Sequence, residues 1–139
     1  MDFFKILKKR RFFILAIYES GEDYLETILL LSRKSPFVRS IDIANELGYT
    51  KPSVSRAVGI LKANGFITVA HDGQILLTEA GKAKASGVYE RHTVIKKFFE
   101  DILKVDESIA EKDACKIEHI ISDESYRKWK EFVECNSDL

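Results

Sequence analysis

Two short amphipathic segments joined by one tight turn constrain this chain more than anything else in it. SIDIANEL runs into Gly48, and TKPSVSRAVGILKAN follows after a single tyrosine. Ser40 is placed to cap the first helix with its hydroxyl, and Gly48 to close it in the left-handed conformation that costs glycine nothing. Thr50 is placed to cap the second helix. Pro52 is tolerated in its first turn, where no N–H is needed, and Gly65 ends it. Two helices so joined spell a helix-turn-helix. After them, FITVA and ILLT flank His71-Asp72-Gly73-Gln74, and β-rich runs around Asp-Gly predict a hairpin. Before them, EDYLETILLLSRK reads as a helix starting at Ser20-Gly21, with Tyr24, Ile28 and Leu31 on one stripe and Ser35-Pro36 ending it.

Three helices and a hairpin make a winged helix-turn-helix over residues 21–80. The rest reads as helix: a long one over about 79–104 with Val88, Ile95, Phe98 and Ile102 buried, a break near Val105-Asp106, then ESIAEKDACKIEHII. The last helix, SDESYRKWKEFVE, is capped by Ser122 or Asp123. The expected fold is therefore mainly α with a small β-hairpin wing. Residues 1–20 form an extension, and residues 81–139 a helical second domain.

Composition narrows the class further. The 139 residues, 45% hydrophobic, can fill one ordinary domain or two small ones, and are too apolar for disorder. Two cysteines cannot build a disulfide framework, which points to a reducing, cytoplasmic setting. No apolar run approaches the roughly 18 residues that span a bilayer. The net charge of zero hides a polarity: residues 1–65 carry 11 Lys/Arg and 7 Asp/Glu, residues 66–139 carry 11 and 15. A basic half suits phosphate, and an acidic half suits cations or a second copy. The opening MDFFKILKKRRFFILAIY sets Lys8, Lys9, Arg10 and Arg11 between apolar patches and runs straight into Glu19, unlike a signal peptide. It reads as a segment that packs on the body or on a partner chain; a peripheral membrane anchor is the other reading.

Recognition helices present short polar side chains and Arg at the end that enters the major groove. Thr50, Lys51, Pro52, Ser53, Ser55 and Arg56 fill that slot, with Ala57, Val58, Ile60 and Leu61 facing apolar ground behind. Arg56 suits guanine edges, while Thr50, Ser53 and Ser55 suit phosphates or base edges. Ser40 can present a phosphate to backbone N–H groups, and His71 and Gln74 near the hairpin tip can reach DNA backbone.

Cys115, Glu118 and His119 stand at i, i+3 and i+4, so thiolate, carboxylate and imidazole share one helix face, a half-site for a transition metal. Asp23 and Glu26, also i and i+3, can add oxygen donors, and His92 can complete or duplicate the site. Each has a plainer alternative: the two acids favour a helix N-terminus anyway, and Cys115 can be a small buried hydrophobe.

Taken together, GEDYLETI, TKPSVSRAV, LTEAGKAKASGVYERH and DACKIEHIISDE, in this order from Gly21 to Phe132, resemble the diphtheria-toxin-repressor and manganese-transport-regulator family of metal-dependent transcriptional repressors. The resemblance implies a homodimer whose winged helix binds double-stranded operator DNA, with the later helices binding divalent metal and dimerising, in the two-domain form without the SH3-like third domain. It places the main metal positions on Asp23, Cys115, Glu118 and His119, and second-site positions on Glu26 and His92. Asp23 matches the manganese branch and Cys115 the iron branch. Lys96 puts a cation where the iron branch has an acidic ligand. Mn²⁺ or Fe²⁺ is the expected cofactor, with Co²⁺, Ni²⁺ or Zn²⁺ as substitutes in vitro. The dimer surface is expected from Ile109, Ile117, Ile120, Ile121, Tyr126, Trp129 and Val133.

An enzyme would use Cys115 as nucleophile and His119 as base, but no phosphate loop, nucleophile elbow, HExxH or CxxC accompanies them. The chain is therefore expected not to be an enzyme. A metal-independent winged-helix regulator or protein-interaction module is the remaining rival.

Overall fold

A computed structural model of the chain describes residues 21–137; the extension before Gly21 and its expected Ser20 helix start lie outside them. The chain divides into two compact units after Ser86.

In the first unit, α1 covers residues 21–34 and stops before Pro36. α2 is Ser40–Leu47 and α3 is Lys51–Ala63. Ser40 is not the cap of α2. Arg39 holds that position, and its backbone N–H donates to the Asp42 carboxylate at 2.8 Å. The carboxylate of the third helical residue thus reaches back to the N–H of the cap residue, the half of a capping box that needs no hydroxyl, and Ser40 falls one residue inside the helix. Gly48 closes α2 at φ 68°, a left-handed conformation that favours glycine. Thr50 caps α3: its hydroxyl accepts from Ser53 N–H at 3.4 Å and donates to Ser53 Oγ at 2.9 Å. Replacing Thr50 by Ala is expected to lower stability by about 1 kcal/mol, the usual cost of a lost cap. Urea unfolding of the two proteins measures it.

The hairpin pairs β1 (Ile67–Val69) with β2 (Ile75–Leu77), Ile67 opposite Leu77 and Val69 opposite Ile75. Gly73, at φ 87°, sits in the turn and donates to the Ala70 carbonyl. Ile75 N–H also donates to the Val38 carbonyl, which fastens β2 to the segment before α2. Tyr24, Leu25, Ile28, Ile43, Val54, Leu61, Ile67 and Ile75 form one buried cluster. Ile60, expected on the apolar side of α3, is instead 45% exposed.

α4 (Glu79–Lys97) starts on Thr78, whose hydroxyl accepts from Gly81 N–H and donates to the Gly65 carbonyl. A Cβ on Gly81 would lie 2.0 Å from the Phe66 carbonyl oxygen, so only glycine lets the helix start this close to the hairpin.

In the second unit, the long helix does not continue unbroken to residue 104. It widens into a π-turn over Phe98–Ile102, with Leu103 N–H bonded to the Phe98 carbonyl, and Lys104 at φ 56° reverses the chain. α5 (Glu107–Ile120) is capped by Asp106, and α6 (Asp123–Cys135) by Ser122. Phe98 meets Trp129 at 4.9 Å and Phe132 at 5.9 Å between ring centroids, which holds α6 on the π-turn. Arg91 ties α4 to the same helix through the Ile121 carbonyl and the Asp123 carboxylate. Val133 is not part of a surface stripe: it is 5% exposed, inside the unit, and Phe132 stands out in its place. Trp129 and Tyr126 are half-buried, the former against Phe98 and Phe99 and the latter beneath the Arg91 guanidinium.

Candidate functional site

With Asp106 fixing where α5 begins, Cys115, Glu118 and His119 fall on one face of it. Their sulfur, oxygen and nitrogen ligand atoms lie within 4.8 Å of one another. Glu118 is the unusual member, a carboxylate only 1% exposed. Burying such a charge is costly unless it is paired and hydrogen-bonded. Its Oε2 is paired with His92 Nδ1 at 2.7 Å. Its Oε1 has no hydrogen-bond donor, although His119 Nε2 stands 3.2 Å away. A buried anionic oxygen left short of a donor, with an imidazole and a thiol beside it, fits a divalent transition ion. The mixed S, N and O donor set is competent for Mn, Fe, Co or Zn. Cys115 is exposed rather than a small buried hydrophobe.

His92, on α4, has a carboxylate on each ring nitrogen: Glu118 on Nδ1 and Glu111 on Nε2, the latter at 2.9 Å. The Glu118 hydrogen bond, reinforced by the charges of both acids, outweighs burial and lifts its pKa from 6.5 to about 9. In this geometry His92 is an imidazolium that neutralises Glu118, and it becomes a ligand only by giving up a proton and a partner. Lys96, one turn further along α4, reaches Glu111 at 3.1 Å and Glu100 and Glu107 at 3.6 Å. Its pKa is raised, chiefly by Glu111. Burial pushes Glu111 up, but Lys96 and His92 prevail and its pKa is lowered. Sequence reasoning missed Glu111. It stands four residues before Cys115 and seven before Glu118, so the heptad spacing along α5 was the available signal. Asp23 and Glu26 lie half-buried on α1 in the other unit.

The DNA-reading candidates collect at the start of α3. Thr50, Lys51, Pro52, Ser53, Ser55 and Arg56 are all exposed. Ser40, Lys51 and Ser55 line one depression of about 330 Å³ between α2 and α3. His71 is exposed, and the Gln74 side-chain amide donates one hydrogen bond to the Pro36 carbonyl at 2.9 Å, which holds it beside the hairpin.

Residues 16–75 match the family described as iron dependent repressor, N-terminal DNA binding domain, and residues 78–136 the one described as iron dependent repressor, metal binding and dimerisation domain. An uncharacterised HTH-type transcriptional regulator of Methanocaldococcus jannaschii is 32% identical over 84% of this chain and 94% of its own length. The chain belongs to the iron-dependent repressor family. Within that family, the diphtheria toxin repressor of Corynebacterium diphtheriae is 30% identical over 81% of this chain and 50% of its own. The manganese regulator SloR superposes with a TM-score of 0.74 at 27% identity, covering 82% of this chain and 53% of SloR. The chain thus spans about half of these two longer members of the iron-dependent repressor family. Among the described residues, no helix is long and apolar enough to cross a membrane.

Proposed function

We propose that this chain is a cytoplasmic, homodimeric transcriptional repressor whose affinity for operator DNA is set by Mn²⁺ or Fe²⁺, and that it controls metal-homeostasis genes. The observation that supports it most is the buried Glu118 carboxylate, short of a donor on Oε1 and flanked by Cys115 and His119. It lies in a chain whose other unit carries an exposed, polar helix-turn-helix. Cys115, Glu118 and His119 hold the ion, joined by Asp23 on the strength of the family pattern. A divalent ion supplies positive charge at Glu118. The thiol must ionise to bind, so affinity falls as pH drops. Donors drawn from both halves are the reason ligation biases the chain toward its DNA-competent arrangement, by as much as the ion's affinity differs between the two states. The dimer contact centres on Ile109 and Ile120, 52% and 64% exposed, with Ile117 and Ile121 beside them.

The test is an anaerobic titration of a duplex selected by the chain itself, with Mn²⁺, Fe²⁺, Co²⁺ and Zn²⁺ in turn. Anaerobic handling keeps Cys115 from oxidising. Metal-dependent affinity is the expected result; equal affinity in chelator and in metal would instead favour the metal-independent regulator. One ion per chain is expected, because the Lys96 ammonium already serves the Glu100, Glu107 and Glu111 carboxylates. Isothermal titration with Mn²⁺ measures that ratio, and two ions of similar affinity would contradict it.

A further inference from the structure

A groove of about 260 Å³ opens beside α3, on the side away from its DNA-reading start. Leu25 and Leu61, both buried, floor it; Ile60 and Phe66 wall it, and the Glu22–Lys84 ion pair and Asn64 edge it. It is smaller than most metabolite pockets and lacks convergent polar groups at its floor, so it suits apolar side chains rather than a small molecule. Gly21, where the described chain begins, is itself one of the lining residues.

The twenty residues before Gly21 carry six consecutive apolar residues, Phe12–Ile17, between Arg11 and Tyr18. Only Tyr18, Glu19 and Ser20 connect this run to the groove. Three residues reach at most about 11 Å when extended, so the run is held close to the groove it would fill. A short tether of this kind gives an effective concentration in the millimolar range, well above that of a separate chain at micromolar levels. We propose that the run Phe12–Ile17 docks in the groove of its own chain, covering Ile60 and Phe66 and bracing the recognition helix from behind.

A photo-crosslinking benzoyl-phenylalanine in place of Phe13 tests this in the full chain. Chains labelled with ¹⁴N and ¹⁵N are mixed, irradiated and mapped by mass spectrometry. The expected product links residue 13 to a peptide containing residues 57–66 of the same isotope. A link to the other isotope would make a second copy the occupant and overturn the proposal, as would links only to α5 or α6, or none at all. Ile60→Glu, which changes an exposed side chain, is expected to cut the intrachain yield roughly tenfold. Melting temperatures give a second readout that does not depend on the probe. Phe13→Glu and Ile60→Glu should each lower them, and the double variant by no more than the larger single effect; additive losses would count against contact.

Discussion

Exchanging Glu118 for Gln is expected to abolish metal-activated operator binding while leaving the weak, metal-free affinity of the helix-turn-helix unchanged. Gln keeps the shape of the side chain and removes its charge, so no cavity is made; it also takes the anion from His92, and urea unfolding in chelator measures that separate cost. Changes one step removed from a metal commonly cost 10- to 100-fold in affinity, and loss of an anionic ligand should cost at least about 100-fold. Anisotropy of a labelled duplex, titrated with Mn²⁺ anaerobically, measures it. Glu118→Gln behaving like the wild type would remove the α5 face from the metal site. Cys115→Ser is the companion variant: it keeps a small polar group at an exposed position and tests whether the thiolate contributes. It should weaken Zn²⁺ and Co²⁺ more than Mn²⁺, because the soft donor is what those ions gain from.

The parts of the fold that short-range chemistry encodes were legible in the sequence. Gly48, Thr50, the Asp72-Gly73 turn and Ser122 each act within a few residues, and each stands where local rules put it. Ser40 shows the limit of such rules: the helix starts one residue earlier than a serine cap predicts, with Arg39 at the cap and its N–H bonded to the Asp42 carboxylate. The π-turn at Phe98 was not legible. A 3.6-residue periodicity carries no sign that one turn will widen, and this one packs its aromatic rings against Trp129, thirty-one residues on. On α6 Val133 faces in, while Phe132, half exposed, lays its ring against Phe98. In the metal site, the Cys115, Glu118 and His119 face followed from spacing alone. The pairing of His92 with Glu118 and Glu111, and of Lys96 with three acids, depends on how α4 lies on α5, which no single helix encodes.

That pairing makes the chelator-treated protein lose stability as the solution turns alkaline. His92 has a pKa of about 9 in the fold against the 6.5 of an ordinary histidine. A group raised on folding stabilises fully below its unfolded value and loses that contribution as pH climbs through the folded one. The window is therefore pH 6.5 to 9, and the shift corresponds to roughly 3 kcal/mol at about 1.4 per pH unit. The side chain is only 12% exposed, so solvent screening removes little of it. Urea unfolding at pH 6 and pH 9.5, in chelator, should show the loss in the wild type and a flatter profile in His92→Gln, with the two proteins converging at the alkaline end. Parallel profiles would mean that His92 carries no proton at neutral pH and is free to coordinate. Converging ones leave Glu118 Oε2 committed to His92 and Oε1 as the oxygen offered to the ion. The same proton links the two measurements: if His92 keeps it on ligation, metal affinity gains nothing from its titration. The pH dependence of binding then comes from the ligands that must shed a proton to coordinate, the Cys115 thiol and the His119 imidazole.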